Sequence, residues 1–267
     1  MAEHFPAPPV CNGFPAGTST SVNVMTAKFH GMPHIDLKNI GKIDTCTVSN
    51  AIERLQARLR NEGQIPGSVT HCMFPRLPPV IGYAVTASMR SADEPVAGRT
   101  YHENMAWWRF VKTVPAPRIM VVLDRDRSGG ALLGEMHALI AQALDCVAYV
   151  TNGGVRDLPA VEALGFQLFA GSVEVSHKYA HISEFGEPVE LGGLTISPGD
   201  LLHGDRHGVH SIPLSIAAEI PAMVAKMRRE EDELRKLCRS PRFSLDRLEA
   251  KLQKIPGGGF EVPLNGS

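Results

Sequence analysis

The most regular pattern of apolar and polar positions lies in the middle of the chain. RIMVVLD (Arg118–Asp124) and CVAYVT (Cys146–Thr151) are short apolar runs without alternation, the pattern of strands buried on both faces. Between them, ALLGEMHALIAQAL sets Leu132, Leu133, Met136, Leu139, Ile140, Ala143 and Leu144 at helical spacing and predicts one continuous helix. A short helix from about Leu158 to Leu164 then leads to a third strand, FQLFA. A β-α-β-α-β order argues for parallel strands joined by right-handed crossovers, hence an α/β fold.

The flanks are less regular. Asp44 or Thr45 can cap a helix running to about Arg60, with Val48, Ala51, Ile52, Leu55 and Leu59 as its apolar stripe. VIGYAVTASM (Val80–Met89) reads as a strand, and EPVAGRTYHENMAWWRFVKTV as helical with open limits. After Ala170, PVELGGLTISPGDLLHGDRHGVHSIP breaks short apolar runs with Gly-Gly, Pro-Gly and Asp-Arg-His-Gly, the sign of an antiparallel meander. An amphipathic helix is expected from Leu214 to Cys238, its charged end KMRREEDELRK being a solvated face. These readings divide the chain into an N-terminal arm (1–38), a central domain (39–238) and a C-terminal extension (239–267).

Composition narrows the function. With 267 residues the chain can bury a large core, and 43% hydrophobic and 21% charged residues are ordinary for a globular protein. A net charge of -1 speaks against nucleic acid or an anionic membrane as partner. Five scattered cysteines without a CxxC pair suggest neither a disulfide framework nor a zinc knuckle. The Pro-rich start lacks the apolar core of a signal peptide, and no apolar run reaches the ~18 residues of a membrane span. A cytoplasmic location is expected.

The candidate chemistry sits in TNGGVRDLPAVEAL (Thr151–Leu164). This turn joins a strand to a helix, where ligands of open α/β sheets collect. Arg156 offers a fork for a carboxylate or keto oxygen, and Asp157 an oxygen ligand suited to Mg²⁺ or Mn²⁺. The same Asp-Leu-Pro is also a good helix N-cap, which needs no ligand. Glu135, twenty-one residues before Arg156, stands in the first turn of the preceding helix. Both helix starts then share one edge of the sheet. Two carboxylates, a guanidinium and the amides around Met136 and His137 suit a metal-bound oxoacid. No lysine stands out as a Schiff-base former. His177 and His181 at i and i+4, the histidines of HGDRHGVH with Asp205, and Cys46 are weaker candidates. The first lacks a HExxH context, the second reads as a hairpin turn, and Cys46 reads as core.

The stretch from Gly130 to Pro213, and more loosely residues 40 to 235, resembles the RraA-like family. That family includes divalent-metal-dependent 4-hydroxy-4-methyl-2-oxoglutarate / 4-carboxy-4-hydroxy-2-oxoadipate aldolases and a non-enzymatic regulator of ribonuclease E. The resemblance implies an α/β/β/α sandwich of the swivelling phosphohistidine-domain type, assembled as trimers or hexamers with active sites between subunits. It implies that Asp157 ligates the metal and that Glu135 supports it through water. It makes Arg156 the contact to a pyruvyl group, and the amides after Gly134 and Glu135, near Met136 and His137, the carriers of the pyruvyl carboxylate. A glutamate of a neighbouring subunit, Glu230 or Glu231 here, is expected to complete the site. The implied activity is a carbon–carbon lyase on a 2-oxo acid, by retro-aldol cleavage or oxaloacetate decarboxylation through a pyruvate enolate. The alternatives are a non-catalytic regulator that binds a protein partner, and a related lyase or hydrolase for another carboxylated substrate. The Trp107-Trp108 pair and the segment RSADEP, where Asp93 is a partial match, depart from the family pattern.

Overall fold

A computed structural model describes residues 35–95 and 105–253. Most of the expected N-terminal arm, the segment 96–104 and the end of the chain lie outside the described residues.

The apolar runs become the centre of an eight-stranded sheet. Its strands are β1 (His71–Cys72), β2 (Val80–Arg90), β3 (Arg118–Asp124), β5 (Cys146–Thr151), β7 (Gln167–Ala170), β9 (His181–Phe185), β12 (Leu201–Asp205) and β13 (Gly208–Ile212). The order is β1-β7-β5-β3-β2-β12-β13, with β9 also pairing β2. β7, β5, β3 and β2 run parallel, as the β-α-β-α-β pattern requires. β12 and β13 form an antiparallel hairpin on the other side of β2. A separate hairpin, β10 (Val189–Leu191) with β11 (Leu194–Ile196), completes the meander expected after Ala170.

Alternation along the central strands sorts side chains between two faces. Val85, Ala87, Met120, Val122, Tyr149 and Leu168 lie in one cluster beneath three helices, α3 (Met105–Thr113), α4 (Glu135–Ala143) and α5 (Leu158–Ala163). Ala84, Ile119, Val121, Val150 and Phe169 face the other way and meet Leu202 and Val209 of the β12–β13 hairpin. The sheet has therefore curled over itself. A Cβ on Gly204 would come within 2.8 Å of the Phe169 ring, so the hairpin needs glycine where it crosses. On its outer face Leu201 and Ile212 pack beneath α1 (Leu37–Ile40), α2 (Thr45–Arg54) and α6 (Ile220–Cys238). Helices, sheet, folded-over sheet and helices make the expected α/β/β/α sandwich. None of the helices among the described residues is long and apolar enough to cross a membrane.

Three elements differ from the sequence reading. α2 stops at Arg54 rather than near Arg60, because Gln56 turns left-handed (φ 54°) and breaks the helix. The helix α6 begins at Ile220, behind a 3₁₀ turn over Leu214–Glu219. Most consequential for the site, ALLGEMHALIAQAL is not one helix. Ala131–Leu133 is a strand, β4, and Gly134 is extended (φ -135°, ψ -164°), so α4 starts only at Glu135. β4 pairs in parallel with β6 (Gly154–Val155), and β6 with β8 (Ser172–Val173), a second small sheet. That non-local ladder overrides the helical spacing. The buried side of α4 is His137, Ala138 and Ala141, while Met136 and Leu139 point outward.

Candidate functional site

Residues Gly134–Glu135 and Arg156–Asp157 follow directly on the paired strands β4 and β6. The pairs Ala131–Gly154 and Leu133–Val155, and a 3.0 Å bond from the Arg156 N–H to the Leu133 carbonyl, bring the two segments together. Both helix starts thus share one edge, as expected from their positions after parallel strands.

Asp157 adopts the left-handed conformation (φ 57°, ψ 36°) and makes no side-chain capping bond to its own helix. That backbone region costs an L-residue of order 1 kcal/mol, though Asp tolerates it better than most. Its carboxylate turns instead to the neighbouring helix. Oδ2 accepts a 3.1 Å hydrogen bond from the Glu135 N–H at the first position of α4 and lies 3.5 Å from Arg156 Nε. Arg156 Nε is shielded from water and makes no hydrogen bond, so the carboxylate is its only charged neighbour among the described residues. Gly134 caps α4 without a side chain, and a Cβ there would stand 2.3 Å from Asp157 Oδ2. Glycine is needed at this position because the carboxylate occupies the space. The expectation of Asp157 as a plain cap is therefore half right: it caps, but on the other helix.

Asp157 Oδ1 and the Glu135 carboxylate make no hydrogen bond or ion pair with other described residues. No three of the described His, Cys, Asp or Glu residues gather closely enough to form a metal cage. The site is open: the side chains of Arg156 and Asp157 are 31% and 41% exposed. Clefts of about 670 Å³ and 540 Å³ open elsewhere, the first lined by Arg58, Gln64, Asp200 and Ser211, the second by Pro117, Gln142 and Phe166. Neither includes the Glu135–Asp157 edge, and size alone does not make them the better candidates.

Sequence reasoning missed a buried polar cluster at the ends of the central strands. Asp124 ends β3 fully buried, its carboxylate held by Ser91 Oγ (3.1 Å) and the Asp126 N–H (3.1 Å). The Asn152 side chain clamps the Asp124 backbone on both sides, at 2.7 and 3.0 Å. The carboxylate of Asp126 accepts the N–H groups of Ser91 and Ala92, which hold its pKa below the usual range. A charged residue closing an apolar run, and Asn before Gly-Gly, were the available signals.

A sequence model described as Aldolase/RraA matches residues 45–210. The chain belongs to the RraA-like family. Among curated relatives of this RraA-like protein, one from Halalkalibacterium halodurans named "Putative 4-hydroxy-4-methyl-2-oxoglutarate aldolase" is 28% identical over 158 residues, 58% of this chain and 70% of that protein. One of the same name from Ectopseudomonas mendocina is 30% identical over 102 residues, 38% of this chain and 62% of that protein. The crystal structure of Streptomyces coelicolor RraAS2, titled an unusual member of the RNase ES inhibitor RraA family, superposes with a TM-score of 0.60 at 21% identity, covering 74% of this chain and 96% of that one. The last likeness concerns the fold alone.

The weaker candidates of this RraA-like chain resolve structurally. His177 lies in a loop and His181 in β9, not on one helix face, and each ring Nδ1 faces a backbone carbonyl, of Lys178 and Tyr179. Asp205 accepts from the Thr45 N–H and from His207, tying α2 to the β12–β13 turn. His203 and His210 face each other across that hairpin, and burial lowers their pKa values to about 4 and about 3. Cys46 is exposed rather than in the core, because it points away from the buried stripe of Thr45, Val48, Ala51 and Ile52. Asp93 is exposed in the loop after β2. Glu230 pairs with Arg54 of its own chain at 2.8 Å, and Glu231 with Arg235 at 2.6 Å.

Proposed function

We propose that this protein is a divalent-metal-dependent carbon–carbon lyase acting on a 2-oxo acid. The observation that carries the reading is Asp157. It holds a left-handed backbone, one carboxylate oxygen is fixed by the Glu135 amide beside Arg156, and the other oxygen is left open. Strain of this kind is kept where a side chain has a task its own helix does not need. The names of the curated relatives point the same way.

The donor set fits a hard cation. Asp157 Oδ1 would be a direct ligand, and Glu135 would act through water; Mg²⁺ or Mn²⁺ accepts one or two carboxylates and keeps the rest of its shell as water and substrate. When bound, the ion supplies positive charge against the keto and carboxylate oxygens of the pyruvyl group. Arg156 holds the keto oxygen and stabilises the enolate that develops there. The amides of Met136 and His137, at the start of α4, orient the pyruvyl carboxylate with the helix dipole behind them. The carbon–carbon bond to the carbon that becomes the enolate carbon breaks and its electron pair moves toward the keto oxygen; in retro-aldol cleavage the hydroxyl of the leaving half gives its proton to a water held near Asp157 or Glu135 and leaves as a second oxoacid, and in decarboxylation the other half leaves as CO₂. A water held near Asp157 or Glu135 returns a proton to the enolate carbon, giving pyruvate.

The open site suits completion by a second subunit. Apolar side chains flank it in the isolated chain: Met136 is 57% exposed, Val173 54% and Val175 95%. A homotrimer or hexamer that covers them would also exclude water from the reaction.

The test is a screen of 2-oxo acids for pyruvate release with and without Mg²⁺. Native protein is expected to release pyruvate only with metal, and Asp157→Ala to lose both turnover and Mg²⁺ binding by calorimetry. A fully active, EDTA-insensitive Asp157→Ala protein would sink the proposal. If native protein converts no oxoacid but captures a protein partner, the regulator reading takes its place.

A further inference from the structure

Of the first three residues of α4, Glu135 and Met136 are exposed, and only the His137 side chain points inward, where it is wholly buried. Gly134 adds no side chain to fix this turn. With the β4–β6 ladder and the Glu135–Asp157 bond, this inward ring holds the start of α4 on the core. That ring lies against Trp108 of α3, with centroids 4.7 Å apart and planes at 52°. Trp108 is itself 5% exposed, so the pair is packed on all sides. Its neighbour Trp107 is equally buried in the same helix but packs toward Phe110 (6.2 Å) and Phe185 (5.9 Å). The two tryptophan rings also meet each other at 6.2 Å, and it is Trp108 that lies against His137.

We propose that Trp108 is a positioning residue for the carboxylate-binding turn: through His137 it fixes the start of α4 so that the Met136 and His137 amides meet the substrate carboxylate. The inference rests on the lyase reading above. In that reading the amides bind the carboxylate in ground state and transition state alike. Loosening this turn weakens binding of the carboxylate; the Glu135 N–H of the same turn also holds Asp157, so a smaller part of the shift reaches the bond-breaking step.

The experiment compares Trp108→Leu with Trp107→Leu in the full-length protein. Trp108→Leu is expected to raise KM and the inhibition constant of oxalate by ~10-fold, a larger effect than its fall in kcat, since a shift on the order of 1 Å is enough to impair an oriented site. Trp107→Leu is expected to lower the melting temperature similarly and leave KM and oxalate binding unchanged. Trp108→Phe, which keeps a ring, restores most of the affinity. As the chain has two tryptophans, the Trp107→Phe protein reports on Trp108 alone, and its emission is expected to change on adding oxalate with Mg²⁺. Equal KM effects from the two leucine variants, or none from either, overturn the inference, as does an unresponsive Trp108 emission when oxalate binds. A native protein that releases no pyruvate from any 2-oxo acid with Mg²⁺ overturns the lyase reading instead, so the two failures can be told apart.

Discussion

Gly134→Ala tests the geometry of the edge more sharply than removing a charged group does. The glycine has an ordinary negative φ, so alanine meets no backbone penalty; the whole effect comes from the new Cβ at 2.3 Å from Asp157 Oδ2. Relieving that contact requires the carboxylate to retreat by about 1 Å, enough to cost ~100-fold in an oriented site. The retreat also breaks the bond from the Glu135 N–H, a loss of about 1.5–3 kcal/mol for a charged acceptor, offset by about 0.4–1 kcal/mol from the stiffer unfolded chain. A net loss of about 1–2 kcal/mol corresponds to roughly 2–8 °C in melting temperature for a chain of this size. Thermal denaturation and coupled pyruvate release measure the two effects. In an Asp157→Ala background that contact is gone and the new Cβ meets only Arg156 Cγ and Nε, at 3.1 and 3.2 Å, so adding Gly134→Ala should cost clearly less than in native protein. If Gly134→Ala is as active and stable as native protein, or destabilises equally in both backgrounds, the assigned contact between Gly134 and Asp157 is wrong.

Arg156→Lys keeps the charge but not the fork; turnover is expected to fall ~100-fold with the melting temperature nearly unchanged, as for loss of one oriented donor to a developing oxyanion. Stability is expected to fall on mild acidification. Burial of His203 and His210 lowers their folded pKa values to about 4 and about 3, below the ordinary 6.5, so stability is full above pH 6.5 and is lost as pH falls toward those values. Each histidine contributes at most about 1.4 kcal/mol per pH unit in that window, so urea titrations at pH 7.5 and 5 should differ by roughly 2–4 kcal/mol, and a pH-independent midpoint would contradict the buried neutral pair. His203→Asn, which preserves a partner for the Thr45 hydroxyl, should flatten that dependence.

The parallel core was legible because RIMVVLD and CVAYVT are too short and too apolar for surface helices, and their burial agrees. The start of α4 was not. Leu132 and Leu133 continue a helical stripe, and only pairing with Val155, a contact across more than twenty residues, makes their segment a strand. Met136 and Leu139 misled for a related reason, since they are apolar yet outward-facing. At the candidate site, residue types and spacing brought Glu135, Arg156 and Asp157 to one edge. The left-handed turn at Asp157 and the crossing of its carboxylate to the next helix left no trace in the sequence. The Asp124–Ser91–Asn152 cluster was missed because its members belong to three separate strand ends.

The interval between Glu135 and Arg156 acts as a ruler. It is the length of one round trip, down α4, back along β5 and out through β6, and the paired strands β4 and β6 fix both of its ends. Adding or removing one residue inside α4 would rotate everything beyond it by about 100° and set the packed face of the helix against its anchored start. Drift during evolution, or redesign of this scaffold, is therefore held to this spacing inside that interval. That interval has to stay constant for the Glu135 amide to keep meeting the Asp157 carboxylate.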